Sequence, residues 1–400
     1  MTTPRIVGTV ILLVVLVFAT CGCWTSAELN ERAFARIMIL DKSDSGVELT
    51  IGFPLPNRLV GGGVSGSGSM PSESPFTLVS KVGRDLGEAY QLIQADLSRR
   101  ITFGQLRNIL ISDAFAQEGL LPLMDFLARN TEIHINANMI VTKGAAKQIG
   151  NIPLTFERFP TDILIAYAKH RTMMAESAKN VLAAILYGGG DFVLPIVQFG
   201  QIGAKTEKNA KHWMGTDGAA LFRQGKLVSE LDTKEMRAAM WLLGKPGEFV
   251  TVVDSPSDGK PVSLKLLGSA SKIKPVLSGG RIRFIISCKG LAKVVASEST
   301  IDVTDGREID VLEKSLNKDM QALIGRTVAR TQANRTDPFK LGQRIRLRSP
   351  KTWDRLKGDW SDIYKNKVEI EVRTDLRIKW YGGARKPTWN AQLGGKEAKS

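Results

Sequence analysis

From Val368 to Trp380 the chain alternates with a period of two. Val368, Ile370, Val372, Leu376, Ile378 and Trp380 fall on one side of an extended backbone. Glu369, Glu371, Arg373, Asp375, Arg377 and Lys379 fall on the other. That pattern is a strand with one dry face and one wet face. It predicts an antiparallel sheet with helices packed on a single side.

The segment before it is helical. Asp305 and Glu308 open a long helix, and Ile309, Leu312, Leu316, Met320, Leu323, Ile324 and Val328 form its apolar stripe. Asp337-Pro338 breaks the chain. Trp353 and Trp360 follow two turns apart, on one face of a further helix, and read as core.

Earlier segments mix strands and helices. A short helix is expected over Ser26 to Phe34, then strands at Arg36–Leu40 and Val47–Ile51. Gly61–Ser69 reads as a flexible loop. Asp85 with Glu88 forms a capping box for a helix carrying Leu86, Tyr90, Ile93 and Leu97. Ile101–Ile111 reads as a strand, and Ser112 caps a helix carrying Leu120, Leu123, Met124 and Leu127. Ile133 to Val141 alternates as a strand, and a long helix is expected from Thr161 to Tyr187, ended by Gly188-Gly189-Gly190. Phe192–Val197 is a further apolar run. Ala219 to Val228 reads as a hairpin turning at Gln224-Gly225. Asp232 and Glu235 form a second capping box, for a helix stopped by Gly244-Lys245-Pro246-Gly247.

The N-terminus carries an export signal. Arg5 precedes the apolar run Ile6–Ala19, and Thr20-Cys21-Gly22-Cys23-Trp24 follows. A small residue before a cysteine marks a bacterial lipoprotein, in which Cys23 takes a diacylglyceryl group and an acyl chain. Two or more chains anchor stably, at roughly 0.8 kcal/mol per buried methylene. The same stretch would also serve as an uncleaved signal anchor. Both readings place the body outside the cytoplasm.

After cleavage only Cys23 and Cys288 remain, so no internal disulfide framework is available. Cys288 lies in an alternating run and reads as a small buried hydrophobe. The net charge is +15, spread thinly, with a local excess at Arg344, Arg346, Arg348 and Lys351. No basic cluster of the nucleic-acid-binding kind is present. Attraction to an anionic lipid surface and an ordinary solvated surface both account for the charge.

No residue set reads as catalytic. The three histidines, His134, His170 and His212, show no metal-ligand spacing, and no cofactor motif is present. The glycine-rich loop lacks the Gly-Lys-Ser/Thr end of a phosphate loop. Gly63-Val64-Ser65-Gly66-Ser67 falls one residue short of a nucleophile elbow, which leaves an exported hydrolase poorly supported.

Several ordered blocks carry a resemblance. They are Gly22-Cys23-Trp24 with Glu28-Leu29-Asn30-Glu31; Arg99 to Arg107 with Ile109-Leu110-Ile111-Ser112 and Ala116-Gln117-Glu118-Gly119; Ala220-Leu221-Phe222 with Leu227-Val228, Leu231-Asp232 and Met240-Trp241-Leu242; and Asp337-Pro338-Phe339 with Trp353, Trp360 and the last strand. In order and spacing the chain resembles the Ger(x)C family, the C-subunit lipoproteins of bacterial spore germinant receptors. It departs from the pattern at Thr20, Cys21 and Lys340-Leu341.

The resemblance implies a non-enzymatic subunit with partners in a membrane-spanning A subunit and a transporter-like B subunit, at the spore inner membrane. It also implies acylated Cys23 as the attachment to the bilayer. The expected fold is α+β: three mixed α/β domains in series, with antiparallel sheets and packed helices. The expected divisions are a signal at 1–22, domains at 23–190, 191–278 and 279–388, and a polar tail at 389–400. A solute-binding lipoprotein of a transporter is the alternative.

Overall fold

The computed structural model describes residues 28–55, 74–154, 157–202, 211–303 and 305–380, together with Gly8. The expected signal, Cys23, the Gly61–Ser69 loop and the 389–400 tail lie outside the described residues.

The first lobe contains strands β1 (Arg32–Phe34), β2 (Ile37–Ser43), β3 (Gly46–Pro54) and β4 (Phe76–Gly83). Helix α1 (Leu86–Asp96), β5 (Arg100–Thr102), β6 (Asn108–Ser112), α2 (Asp113–Glu118) and α3 (Leu121–Arg129) follow. Next come β7 (Asn138–Lys143), α4 (Pro160–Lys169), α5 (Ala178–Gly188), β8 (Phe192–Ile202), β9 (Lys211–Arg223) and β10 (Lys226–Leu231). Helix α6 (Thr233–Leu242) leads to the second lobe. That lobe holds β11 (Phe249–Asp254), β12 (Pro261–Ser278), β13 (Arg281–Ser297), α7 (Gly306–Ala333), α8 (Leu341–Arg348), α9 (Pro350–Leu356), α10 (Trp360–Asn366) and β14 (Val368–Trp380).

The main sheet has eight strands in the order β10-β9-β8-β7-β6-β2-β3-β4. Its centre, β8-β7-β6-β2, is parallel, and both flanks are antiparallel. Buried parallel strands need apolar residues on both faces. The central strands supply them. Met38, Leu40, Ile109, Ile111, Met139 and Val141 enter one core, and Ile37, Ile39, Leu110 and Ile140 enter the other. Helices α1, α2, α3 and α5 cover the first face. Helix α4 covers the second, with a short turn at Ala146–Asn151.

The second sheet has the order β11-β12-β13-β14. Strands β11, β12 and β13 are antiparallel, whereas β14 runs parallel to β13. The antiparallel expectation for the last strand is therefore corrected. Helix α7 carries the chain back along the sheet, so β14 enters in the same direction as β13. One face of this sheet is covered and the other is wet, as the alternation required: Cys288, Ile286 and Phe284 are buried beside α7. The α7 stripe is buried at Leu312, Leu316, Met320, Leu323, Ile324 and Val328.

The expected division at 190 falls inside one sheet, because β8, β9 and β10 extend the strands that precede it. The expected division at 278 falls in the turn of the β12–β13 hairpin, where Gly279 and Gly280 take positive φ of 57° and 77°. The signal at 190 is the glycine run Gly188-Gly189-Gly190, and a turn glycine marks a reversal as readily as a boundary.

Local corrections have similar causes. Of the helix expected over Ser26–Phe34, the described part is a single 3-10 turn at Leu29–Glu31 that passes directly into strand β1. Ile101–Ile111 is divided between β5 and β6, which belong to different sheets. The helix after Ser112 breaks at Gly119, whose φ is 123°. Only Asn138 onward of the Ile133–Val141 run is a strand. The expected helix to Tyr187 is two helices, α4 and α5. They are separated by Arg171 at a φ of 54° and restarted by the Ser177 cap. Trp353 and Trp360 lie on separate short helices, α9 and α10. The Asp232–Glu235 capping box and the Gln224-Gly225 turn are present as expected. Asp85 caps α1, but Glu88 bonds the Arg84 backbone rather than that of Asp85.

Candidate interlobe site

The two lobes meet where Gly190, Asp191 and the β9–β10 turn face the segment from Thr336 to Gly342. Asp191 precedes β8 and is buried. Its Oδ1 accepts the Gln224 backbone N–H at 3.2 Å, and its Oδ2 accepts the Asp337 N–H at 2.8 Å. The Thr336 hydroxyl donates to the Phe222 carbonyl at 2.7 Å. Phe222 stacks on Phe192 at 4.6 Å, which ties this contact to the first-lobe core. Gly190 is fixed by φ of 85° and by the Gln224 backbone, which an added Cβ would meet at 2.9 Å.

Asp337 organises the second-lobe side. Its Oδ1 accepts the Leu341 N–H at 2.9 Å, and its Oδ2 accepts the Gly342 N–H at 2.8 Å. These are unpaired donors of the first turn of α8, where a carboxylate is favoured. The Trp360 indole N–H also donates to Oδ2, at 2.9 Å. Trp360 meets Trp353 edge to face at 5.4 Å. Both rings pack over Gly342, where an added Cβ would lie 2.7 Å from Trp353. The tryptophan pair is thus packing, as expected, with one polar tie.

Burial raises both carboxyls above their usual range. Asp191 is pushed up to about 6 and Asp337 to about 7, although their backbone hydrogen bonds pull the other way.

A cavity of about 350 Å³ opens beside this junction. Its walls come from α5, the start of β8, the end of α6, and the Pro338–Leu347 segment. Lys245 pairs with Glu176 at 2.6 Å, and Glu176 also accepts from Asn180 at 2.9 Å. Arg344 faces the same space, with its Nε buried and unpartnered.

Cys23 lies outside the described residues. Cys288 is buried, and burial pushes its thiol up to about 12, so it is an inert core residue. His134 and His170 are exposed and far apart in the chain, and the side chain of His212 is outside the described set. Among the described residues no group of three or more His, Cys, Asp or Glu side chains could hold a metal ion. No described helix is long and apolar enough to cross a membrane. Of the basic residues singled out, Arg346, Arg348 and Lys351 are exposed, whereas Arg344 turns into the cavity. Asp191 gave no sequence signal beyond its place between a glycine run and an apolar strand.

The described residues form a two-lobed α/β body with a long covering helix and a buried polar seam between the lobes. Comparison with known proteins places this fold in a family. Residues 25–199 match the model of the spore germination protein N-terminal domain, and residues 217–382 match that of spore germination B3/GerAC like, C-terminal. The chain belongs to the Ger(x)C family.

It is 26% identical to the putative spore germination protein YfkR of Bacillus subtilis, over 88% of this chain and 90% of that protein. It is 25% identical to spore germination protein KC of the same organism, over 93% of this chain and 95% of that protein. The crystal structure of the GerBC protein has the same fold, with a TM-score of 0.55 at 18% identity, over 86% of this chain and 98% of that one.

Proposed function

We propose that this chain is the lipid-anchored C subunit of a nutrient germinant receptor. The carrying observation is the end-to-end match to spore germination proteins, over nine-tenths of their length, joined to the signal pattern ending at Gly22-Cys23. In this reading Cys23 carries the acyl chains and the two lobes stand on the extracytoplasmic side of the spore inner membrane. The chain performs no catalysis. Its work is contact with the A and B membrane subunits, which it positions or couples to one another.

The fold suits that work. The main sheet is covered on both faces and the seam between lobes is tied by buried hydrogen bonds. Such a body presents a fixed surface to partners. The experiment is affinity purification of the tagged full chain from detergent-solubilised spore membranes. Recovery of an A and a B subunit in fixed proportion is expected. Recovery of the chain alone, from membranes that contain both subunits, would contradict the proposal.

A further inference from the structure

The interlobe cavity contains positive charge that its own residues leave unmatched. Arg344 is half-buried, and its Nε–H has no acceptor. Among the described residues its guanidinium forms no close ion pair, and Asp337 is the carboxyl whose field reaches it. The other charged groups facing the cavity are Glu176, Asp191, Lys245 and Lys340. Glu176 is already held by Lys245 and Asn180. Asp191 already accepts two backbone N–H groups. Three cations therefore face two occupied carboxylates; among the described residues Lys340 forms no ion pair, and Arg344 meets only the field of Asp337, a carboxyl already holding three N–H donors.

Burying an unpaired guanidinium donor is costly. Burial already disfavours the Arg344 charge, and the nearby Asp337 carboxyl only partly offsets this. The remaining wall is apolar, with Val181 from α5, Phe192 from β8, Leu242 from α6 and Phe339 from the turn before α8. The volume lies at the small end of the range of about 300–1,000 Å³ usual for ligand pockets.

We propose that this cavity binds an organic anion, with a carboxylate or phosphate-type oxygen pair seated on Arg344 and an apolar body against Phe192 and Leu242. The planar guanidinium fork matches such an oxygen pair, which a lysine would not. The occupant touches elements of both lobes, so binding tightens the seam and stabilises the folded chain. This site is independent of the receptor role and stands or falls separately from it.

The test uses the full chain in nonionic detergent, titrated calorimetrically and followed by thermal unfolding. The probes are benzoate, phenyl phosphate and dihexanoyl phosphatidylglycerol, with benzyl alcohol as the neutral control. At least one anion is expected to saturate and raise the melting temperature, while benzyl alcohol does neither. Arg344→Gln is expected to weaken that binding by about tenfold or more. Gln343→Glu, which adds a negative charge to the same wall, provides a second variant should the first fail to fold. Binding of benzoate or phenyl phosphate assigns a free small anion, and binding of the phospholipid alone assigns a lipid headgroup. Absence of saturable binding by every anion overturns the proposal. So does equal affinity in the folded variants, or benzyl alcohol binding as tightly as benzoate.

Discussion

Asp191 accepts the backbone N–H of Asp337 at 2.8 Å, joining positions 146 residues apart. Asp337 in turn accepts from Leu341, Gly342 and Trp360. One buried carboxylate thus fixes the start of α8, the tryptophan pair and the seam between the lobes. Asp337→Ala leaves three buried donors without an acceptor. The expected loss is about 3 kcal/mol or more, read from urea unfolding of the full chain. A loss under about 0.5 kcal/mol, the size typical of a surface substitution, would show that the carboxylate does not hold the seam.

The same pair makes stability depend on pH. Both carboxyls are raised in the folded state, to about 6 and about 7. Between pH ~4 and those values the folded chain holds protons that the unfolded chain has released. Their contribution to stability is therefore present at low pH and lost as pH rises through that window. Asp191→Asn removes one of the two groups. Its unfolding free energy, compared with wild type at pH 4.5 and 7.5, should fall less with rising pH. Parallel curves would refute the linkage.

Gly342 is required by packing rather than by its backbone. An added Cβ would lie 2.7 Å from Trp353 and 2.8 Å from Trp360, both ring atoms with little room to move. Gly342→Val is expected to destabilise by about 1–3 kcal/mol, as overpacking does. The tryptophan fluorescence of the folded variant should shift with the displaced rings. An unchanged spectrum together with unchanged stability would show that the rings are free to yield.

Helix α7 closes an exposed sheet edge. Among the described residues strand β14 has a strand neighbour on one side only. Asn317 accepts the Leu376 N–H at 2.9 Å and donates to the Leu376 carbonyl at 3.0 Å, as a neighbouring strand would. Glu313 accepts the Ile378 N–H at 2.7 Å, and Gln321 donates to the Val372 carbonyl. These positions are four residues apart, hence on one helical face. Covering an edge in this way discourages intermolecular pairing. Asn317→Leu should lower stability by about 1–3 kcal/mol and raise the tendency to aggregate on mild heating, measured by light scattering. Equal scattering from variant and wild type would mean that the edge is protected by other means.

The parts of this architecture visible in sequence are those written as local periodicity or as local caps. The α7 stripe, the β14 alternation, the Asp232–Glu235 box and the Gln224-Gly225 turn are of that kind. Strand direction was not visible, because β14 alternates identically whether it runs with β13 or against it. The β8–β10 extension of the main sheet was hidden for a similar reason: Gly188-Gly189-Gly190 signals a stop and says nothing about which sheet the next strand joins. The seam was least visible. Asp191 and Asp337 are ordinary turn residues in sequence, and their meaning comes from contacts across many intervening residues. Asn317, Glu313 and Gln321 lie off the apolar stripe of α7, and polar type alone does not tell that they serve as the partner of an edge strand.

The most direct test of the receptor role is nutrient-triggered germination of spores that lack this chain, beside spores carrying Cys23→Ala, with a non-nutrient trigger as control. The account predicts that the response to particular nutrients is lost in the deletion and strongly reduced by Cys23→Ala, while the non-nutrient response is intact. A normal response to every nutrient, in spores whose other germinant receptors have been removed, would contradict it.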